Sequence, residues 1–231
     1  MRINKKKFVY LISPNKIGKS FFADLISVLK LKKTSFFQLR LKNESFKKRF
    51  LIGKKIKKIC KKYNVKFLIN DDVVLSKKLD ADGCHLGQKD MNIFEARKLI
   101  GKKIIGITCH NSIKLANIAA KNKADYIAFG AFYSSKTKKV KYRASIRILK
   151  KARKIIKTPI VVIGGINSNN YKKLLLNKAK KLTKTPLVAI GGINSKNYKK
   201  LLLNNANFLA ISGYIWNNKK YKPIKAVKKL I

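Results

Sequence analysis

The run Gln38-Leu39-Arg40-Leu41-Lys42 alternates polar and apolar positions. In an extended strand such a run projects an amide and two cations from one side and both leucines from the other. A guanidinium fork beside an ammonium point charge suits a diphosphate. Taken alone, the run is better read as a strand whose polar end runs out into solvent. Two further segments change the balance: Asn70-Asp71-Asp72 and His85-Leu86-Gly87-Gln88-Lys89-Asp90, each closing a strand-like stretch. The chain has only nine acidic residues. Asp71 and Asp90 just beyond successive strands are placed as two hard oxygen ligands that share one Mg²⁺ with substrate phosphate oxygens. Asp72 is the weaker candidate. Each aspartate by itself is also explained as a helix N-cap, Asp90 before MNIFEARKLI above all.

Three later segments add anion-binding chemistry. FYSSKTKK offers Ser135, Thr137 and Lys138, two hydroxyls and a cation on one loop, although such a loop is often only solvated. Gly-Gly-Ile-Asn occurs twice, with Gly192 in the second occurrence, and a later strand ends in Ile211-Ser212-Gly213. Glycines let backbone N–H groups approach an anion closely. His85 lies within a strand and reads as a packed or hydrogen-bonded interior residue rather than an acid or base, and His110 has no assigned part. Cys60, Cys84 and Cys109 are odd in number and far apart, so neither a disulfide framework nor a metal knuckle is indicated.

The elements that must position these groups follow from periodicity. Short β-branched and aromatic runs alternate with longer amphipathic, lysine-rich segments, as repeated βα units around a parallel sheet require. The expected strands cover 8–13, 36–40, 66–70, 83–87, 103–109, 126–130, 159–165, 186–192 and 208–212. That is one more than a TIM barrel needs. The surplus has a visible origin, because residues 151–177 recur as 178–204 with six differences over 27 positions. Two copies do not make a solenoid. The expectation is therefore one domain spanning 1–231, a TIM (β/α)₈ barrel in which one duplicated βα unit, strand 7 with its helix 7, is an insertion. One copy would be displaced, since closure ties strand number to shear and tilt. The second copy is preferred as the true strand 7. In such a barrel the loops at the carboxyl ends of the strands build the active site, and those after strands 7 and 8 commonly form a phosphate cup.

Composition bounds the rest. A formal net charge of +48 would suit a nucleic-acid binder. Almost all of it is lysine on the polar faces of helix-like segments, which reads as a solvated coat drawn from an AT-rich codon supply. No specific nucleic-acid partner is expected. No apolar run approaches the roughly 20 residues of a membrane helix, and FVYLIS after the basic start reads as a first strand rather than a signal sequence. A soluble protein of a reducing cytoplasm fits, with small phosphorylated molecules as its partners.

QLRLK, INDD, HLGQKD, GITCH, SKTK, IGGI and LAIS occur in an order and spacing that resembles the thiamine phosphate synthase family. HLGQ followed by an acidic residue is the most specific of these strings. The resemblance implies a transferase that joins a pyrimidine methyl diphosphate to a thiazole phosphate, with Mg²⁺ and release of pyrophosphate. It implies that Gln38, Arg40, Lys42, Asn70 and Lys138 hold the pyrimidine diphosphate and that Asp71 and Asp90 bind the metal. Thr108, where the family usually has serine, would stand near the reacting methylene, so Thr108 and Lys138 are the candidate catalytic residues. Ser135, Thr137, Gly192, Ile211 and Ser212 would meet the thiazole phosphate, with Ser135 replacing threonine and Lys136 replacing proline. The implied chemistry is a dissociative substitution without a protein nucleophile. A related tautomerase branch uses a histidine after strand six, where this chain has Ala131. A non-catalytic barrel that binds phosphorylated ligands or RNA, inactivated by the duplication, is the alternative from another class.

Overall fold

The structure, a computed structural model, describes residues 7–133, 141–165, 188–203 and 206–231. Each apolar run becomes a parallel strand: β1 (Val9–Ile12), β2 (Thr34–Leu39), β3 (Lys66–Asn70), β4 (Gly83–Leu86), β5 (Ile104–Thr108), β6 (Tyr126–Phe129), β7 (Ile160–Ile163), β8 (Val188–Ile190) and β9 (Phe208–Ile211). They pair in chain order, and β9 returns to β1 to close a nine-stranded barrel. Between them run α1 (Phe21–Lys30), α2 (Phe46–Lys62), α3 (Val73–Lys78), α4 (Ile93–Ile100), α5 (Ile113–Lys121), α6 (Ile146–Ile155) and α7 (Tyr198–Leu203), with α8 (Gly213–Trp216) and α9 (Pro223–Lys228) after the last strand. Polar residues start the helices: Ser45, Asp72, Asn92 and Ser112 accept the backbone N–H groups of Lys48, Leu75, Glu95 and Leu115. Each cap satisfies an N–H that has no partner within its helix.

Strand alternation divides the apolar side chains into two layers. Outward residues such as Leu11, Phe37, Phe67, Cys84, Ile105, Ile127 and Leu209 form the large core under the helices. Inward residues, among them Tyr10, Leu68, Ala128, Val161, Val188 and Ala210, fill the barrel. This is the TIM-barrel architecture expected from the periodicity, with one strand more.

The displaced copy is corrected by the pairing. Both copies of the repeat enter the barrel, β7 between β6 and β8, and β8 between β7 and β9. Val161 and Ile163 of the first copy and Val188 and Ile190 of the second face the same interior cluster, so the copies use equivalent positions identically. The physical reason is backbone satisfaction. An excluded strand would leave its N–H and C=O groups as an unpaired edge, whereas insertion pairs them on both sides. Among the described residues, β8 meets β7 through the register pairs Val162↔Ala189 and Ile163↔Ile190.

Carboxylates at the amino ends of the strands act as staples. Asp82 accepts the Phe67 N–H at 2.9 Å and Lys66 Nζ at 2.8 Å, while Asp125 accepts the Ile105 N–H at 2.8 Å and pairs with Arg97. Asp80 joins Lys57 to Lys103. Among the described residues no helix is long and apolar enough to cross a membrane.

Candidate functional site

The carboxyl ends of β2 to β5 gather the polar residues singled out in the sequence. Gln38 is buried within β2, and Leu39 and Leu41 are buried on the opposite side, as the alternation requires. The chain beyond β2 is tied to the end of β1 by Ser13, whose N–H donates to the Gln38 carbonyl and whose Oγ accepts the Arg40 N–H, both at 2.9 Å. Asn70 ends β3 beside His85 of β4. Asp71 follows in the left-handed region at φ 66°, a conformation that aspartate tolerates better than most residues, with its N–H donating to the His85 carbonyl at 2.8 Å. Lys42 Nζ reaches the Asp71 carboxylate at 2.8 Å, a pair open enough to solvent to exchange partners. A cavity of about 290 Å³ lies beside the ends of β2 and β3 on the side of α2 and α3, lined by Lys42, Arg49, Asn70 and Asp71 with Leu39, Leu41, Ile69 and Leu75.

Of the three aspartates open to an N-cap reading, Asp72 alone caps a helix. Asp72 caps α3 and pairs with Arg49 at 2.9 Å, so its carboxylate is spent on structure. Asp90 does not cap α4, because Asn92 does. Instead the Asp90 carboxylate folds back to accept the Gly87 N–H at 2.6 Å and lies within hydrogen-bonding reach of Asp71. Burial first, then the neighbouring Asp71 carboxylate, raises the Asp90 carboxyl above its ordinary range, while the Gly87 amide opposes the rise. Two carboxyl groups facing each other are a donor set that fits a hard divalent cation. Among the described residues no group of three His, Cys, Asp or Glu side chains forms a fuller cage, and Mg²⁺ needs none when substrate oxygens and water complete its shell.

Thr108 ends β5 on the same side of the barrel. Its carbonyl accepts Gln88 Nε2 at 2.7 Å, and its Oγ1 lies 2.8 Å from His85 Nε2. The other ring nitrogen of His85 lies 2.8 Å from the Tyr126 hydroxyl. His85 is thus the hydrogen-bonded interior residue expected. Burial pulls its imidazole down to about 4, so it is neutral at physiological pH. Tyr126 is the residue that sequence reasoning missed. Its signal was its alternation phase in YIAFG, which faces it inward two strands from His85.

Around the barrel, the Gly164-Gly165 and Gly191-Gly192 turns adopt matching positive φ, 93° and 64° against 115° and 59°. Gly164 packs against Ala131 beyond β6, and the space around Gly192, the second glycine of the other turn, is open. Gly192 follows β8, the strand beside β9, whose end carries Ile211 and Ser212. Ser212 Oγ donates to the Ser13 carbonyl at 3.0 Å. Ser135, Thr137 and Lys138 lie outside the described residues. Cys60, Cys84 and Cys109 are free and buried.

The sequence profile of the family described as thiamine monophosphate synthase matches residues 9–183. The chain is 60% identical to the thiamine-phosphate synthase of Pelagibacter ubique (strain HTCC1062) over 233 residues, with 100% of both chains covered. It is 41% identical to that of Clostridium tetani (strain Massachusetts / E88) over 170 residues, covering 72% of this chain and 80% of the relative. In fold it is similar to the thiamine phosphate pyrophosphorylase of Pyrococcus furiosus, with TM-score 0.69 and 24% identity over 99% of this chain and 95% of the other. With its cations, paired aspartates and Thr108 gathered at one end of the barrel and this profile matched along most of its length, the chain belongs to the thiamine monophosphate synthase family.

Proposed function

We propose that the chain is a transferase that forms thiamine phosphate from 4-amino-2-methyl-5-hydroxymethylpyrimidine diphosphate and 4-methyl-5-(2-phosphoethyl)thiazole, releasing pyrophosphate. The observation that carries this reading is full-length similarity to a thiamine-phosphate synthase in a chain that also gathers Lys42, Asn70 and Asp71 at one cavity, with Asp90 against Asp71. Gln38, Arg40, Lys42 and Asn70, with Lys138, hold the diphosphate of the pyrimidine. Lys42 exchanges its Asp71 partner for a phosphate oxygen, a small cost for an exposed pair. Asp71 and Asp90 would hold Mg²⁺, which when bound supplies charge neutralisation for the departing diphosphate.

Substitution at the pyrimidine methylene is dissociative. The C–O bond to diphosphate breaks with its electron pair, the ring stabilises the cation left behind, and the thiazole nitrogen supplies the pair for the new C–N bond. The protein needs no nucleophile for this, only positioned charge and exclusion of water. Thr108 presents its hydroxyl beside the reacting centre. Gly192, Ile211 and Ser212, with Ser135 and Thr137, receive the phosphate of the thiazole, whose negative charge suits backbone N–H donors at glycine turns. A reducing cytoplasm is the proposed location, supported by three buried free thiols. Purified protein supplied with both precursors and Mg²⁺ should yield thiamine phosphate and pyrophosphate in equal amounts; pyrophosphate without thiamine phosphate would replace transfer by hydrolysis.

A further inference from the structure

A hydrogen-bonded chain inside the barrel ends on the hydroxyl of Thr108. Asn70, His85, Gly106 and Tyr126 stand level on four successive strands, as the registers Asn70↔His85, His85↔Gly106 and Gly106↔Tyr126 show. Gly106 is the gap in this row. A Cβ there would come within 1.9 Å of the Tyr126 ring, so the missing side chain lets the phenol lie across β5 and reach the imidazole. The two rings stack with centroids 5.5 Å apart and planes 19° apart. Tyr126 Oη lies 2.8 Å from Nδ1 of His85, and Nε2 on the far side of the ring lies 2.8 Å from Thr108 Oγ1.

The direction of the chain follows from what each group does best. A phenol is a stronger donor than acceptor, and the other hydroxyl near it, that of Tyr10, is at 3.5 Å. Tyr126 therefore donates to Nδ1, which places the imidazole proton on Nε2. That N–H donates to Thr108 Oγ1, so the threonine oxygen already accepts a bond and its own hydrogen must point elsewhere. Gln88 holds the Thr108 carbonyl at 2.7 Å, fixing the backbone from which the hydroxyl projects. We infer that His85, oriented by Tyr126 across Gly106, is a positioning residue that donates to Thr108 Oγ1 and so turns the Thr108 hydroxyl proton toward the departing diphosphate.

The inference rests on the proposed function, and its test separates the two. Steady-state kinetics with Mg²⁺ would compare the parent with Tyr126→Phe, Thr108→Ala and the double variant. Tyr126→Phe removes one hydroxyl and keeps the ring over Gly106. It should lower kcat about tenfold, the value of one hydrogen bond, while each KM stays within about twofold. In the Thr108→Ala background the same change should cost nothing further, because the chain has lost its end. An undiminished kcat in Tyr126→Phe, or an equal loss in both backgrounds, would overturn the inference. The ¹⁵N shifts of His85 provide a readout without turnover, with Nε2–H expected in the parent and a tautomer mixture in Tyr126→Phe. Nδ1–H in the parent would reverse the chain and sink the inference even in an active enzyme. An inactive parent that keeps Nε2–H would instead count against the proposed function.

Discussion

Val162 on β7 and Ala189 on β8 are cross-strand partners, and they occupy the same position of the repeated segment, 27 residues apart. The duplication has therefore placed a strand beside its own copy without a change of register. Because the repeats match in phase, deleting 151–177 replaces the second half of α6, KARKI, by the matching KAKKL of the second copy and leaves eight strands. Such a variant should fold to a compact unit with a cooperative melt, measured by circular dichroism and size-exclusion chromatography. A molten or aggregated product would show that nine strands are required.

Asp71 and Asp90 face each other, whereas Asp72 is held by Leu75 N–H and Arg49. Asp71→Ala and Asp90→Ala should each abolish Mg²⁺-dependent turnover and leave the melting temperature near that of the parent. Asp72→Ala should do the reverse, losing about 1–2 kcal/mol through its cap while retaining metal dependence. Paired activity and melting measurements on the three variants check this contrast, and normal turnover in Asp71→Ala or Asp90→Ala would remove the metal assignment.

Gly106 has no room for a side chain beneath Tyr126. Gly106→Ala should destabilise the barrel by about 1–3 kcal/mol, the usual cost of overpacking, and displace Tyr126 from His85. Urea unfolding measures the first effect. A neutral substitution would mean that the ring moves aside freely, against the packing described.

Burial lowers His85 from its ordinary value of 6.5 to about 4. Between those values the unfolded chain binds a proton that the folded chain refuses. This contribution to stability is present above about 6.5 and is lost as the pH falls toward 4. Asp90 has the opposite sign, since its raised carboxyl makes the folded chain hold a proton longer, a contribution that is lost as pH rises through its folded-state titration. Urea unfolding at stepped pH should show the acid-side loss in the parent and a flatter profile in His85→Gln. Identical profiles would mean that His85 does not remain neutral.

Much of the fold was legible because strand and helix announce themselves locally. KFLIN and YIAFG carry β-branched and aromatic residues at period two, and β3 and β6 stand where those runs do. What local pattern could not show was the fate of the second IGGI run, which depends on pairing partners distant in the chain. The site was legible in the same degree. Asp71 and Asp90 stood out in a chain poor in acids, and the structure brings them together. That Asn92 rather than Asp90 caps α4 depends on which residue adopts extended backbone at the turn, which spacing alone leaves open. Tyr126 meets His85 from 41 residues away, so only the register of three strands reveals the contact.

The most direct test of the central claim is formation of thiamine phosphate by the purified full-length protein from the two phosphorylated precursors, with Mg²⁺ and with EDTA. The account predicts product and pyrophosphate in equal amounts with the metal and neither with the chelator. A folded protein that makes no thiamine phosphate with Mg²⁺ present would contradict it.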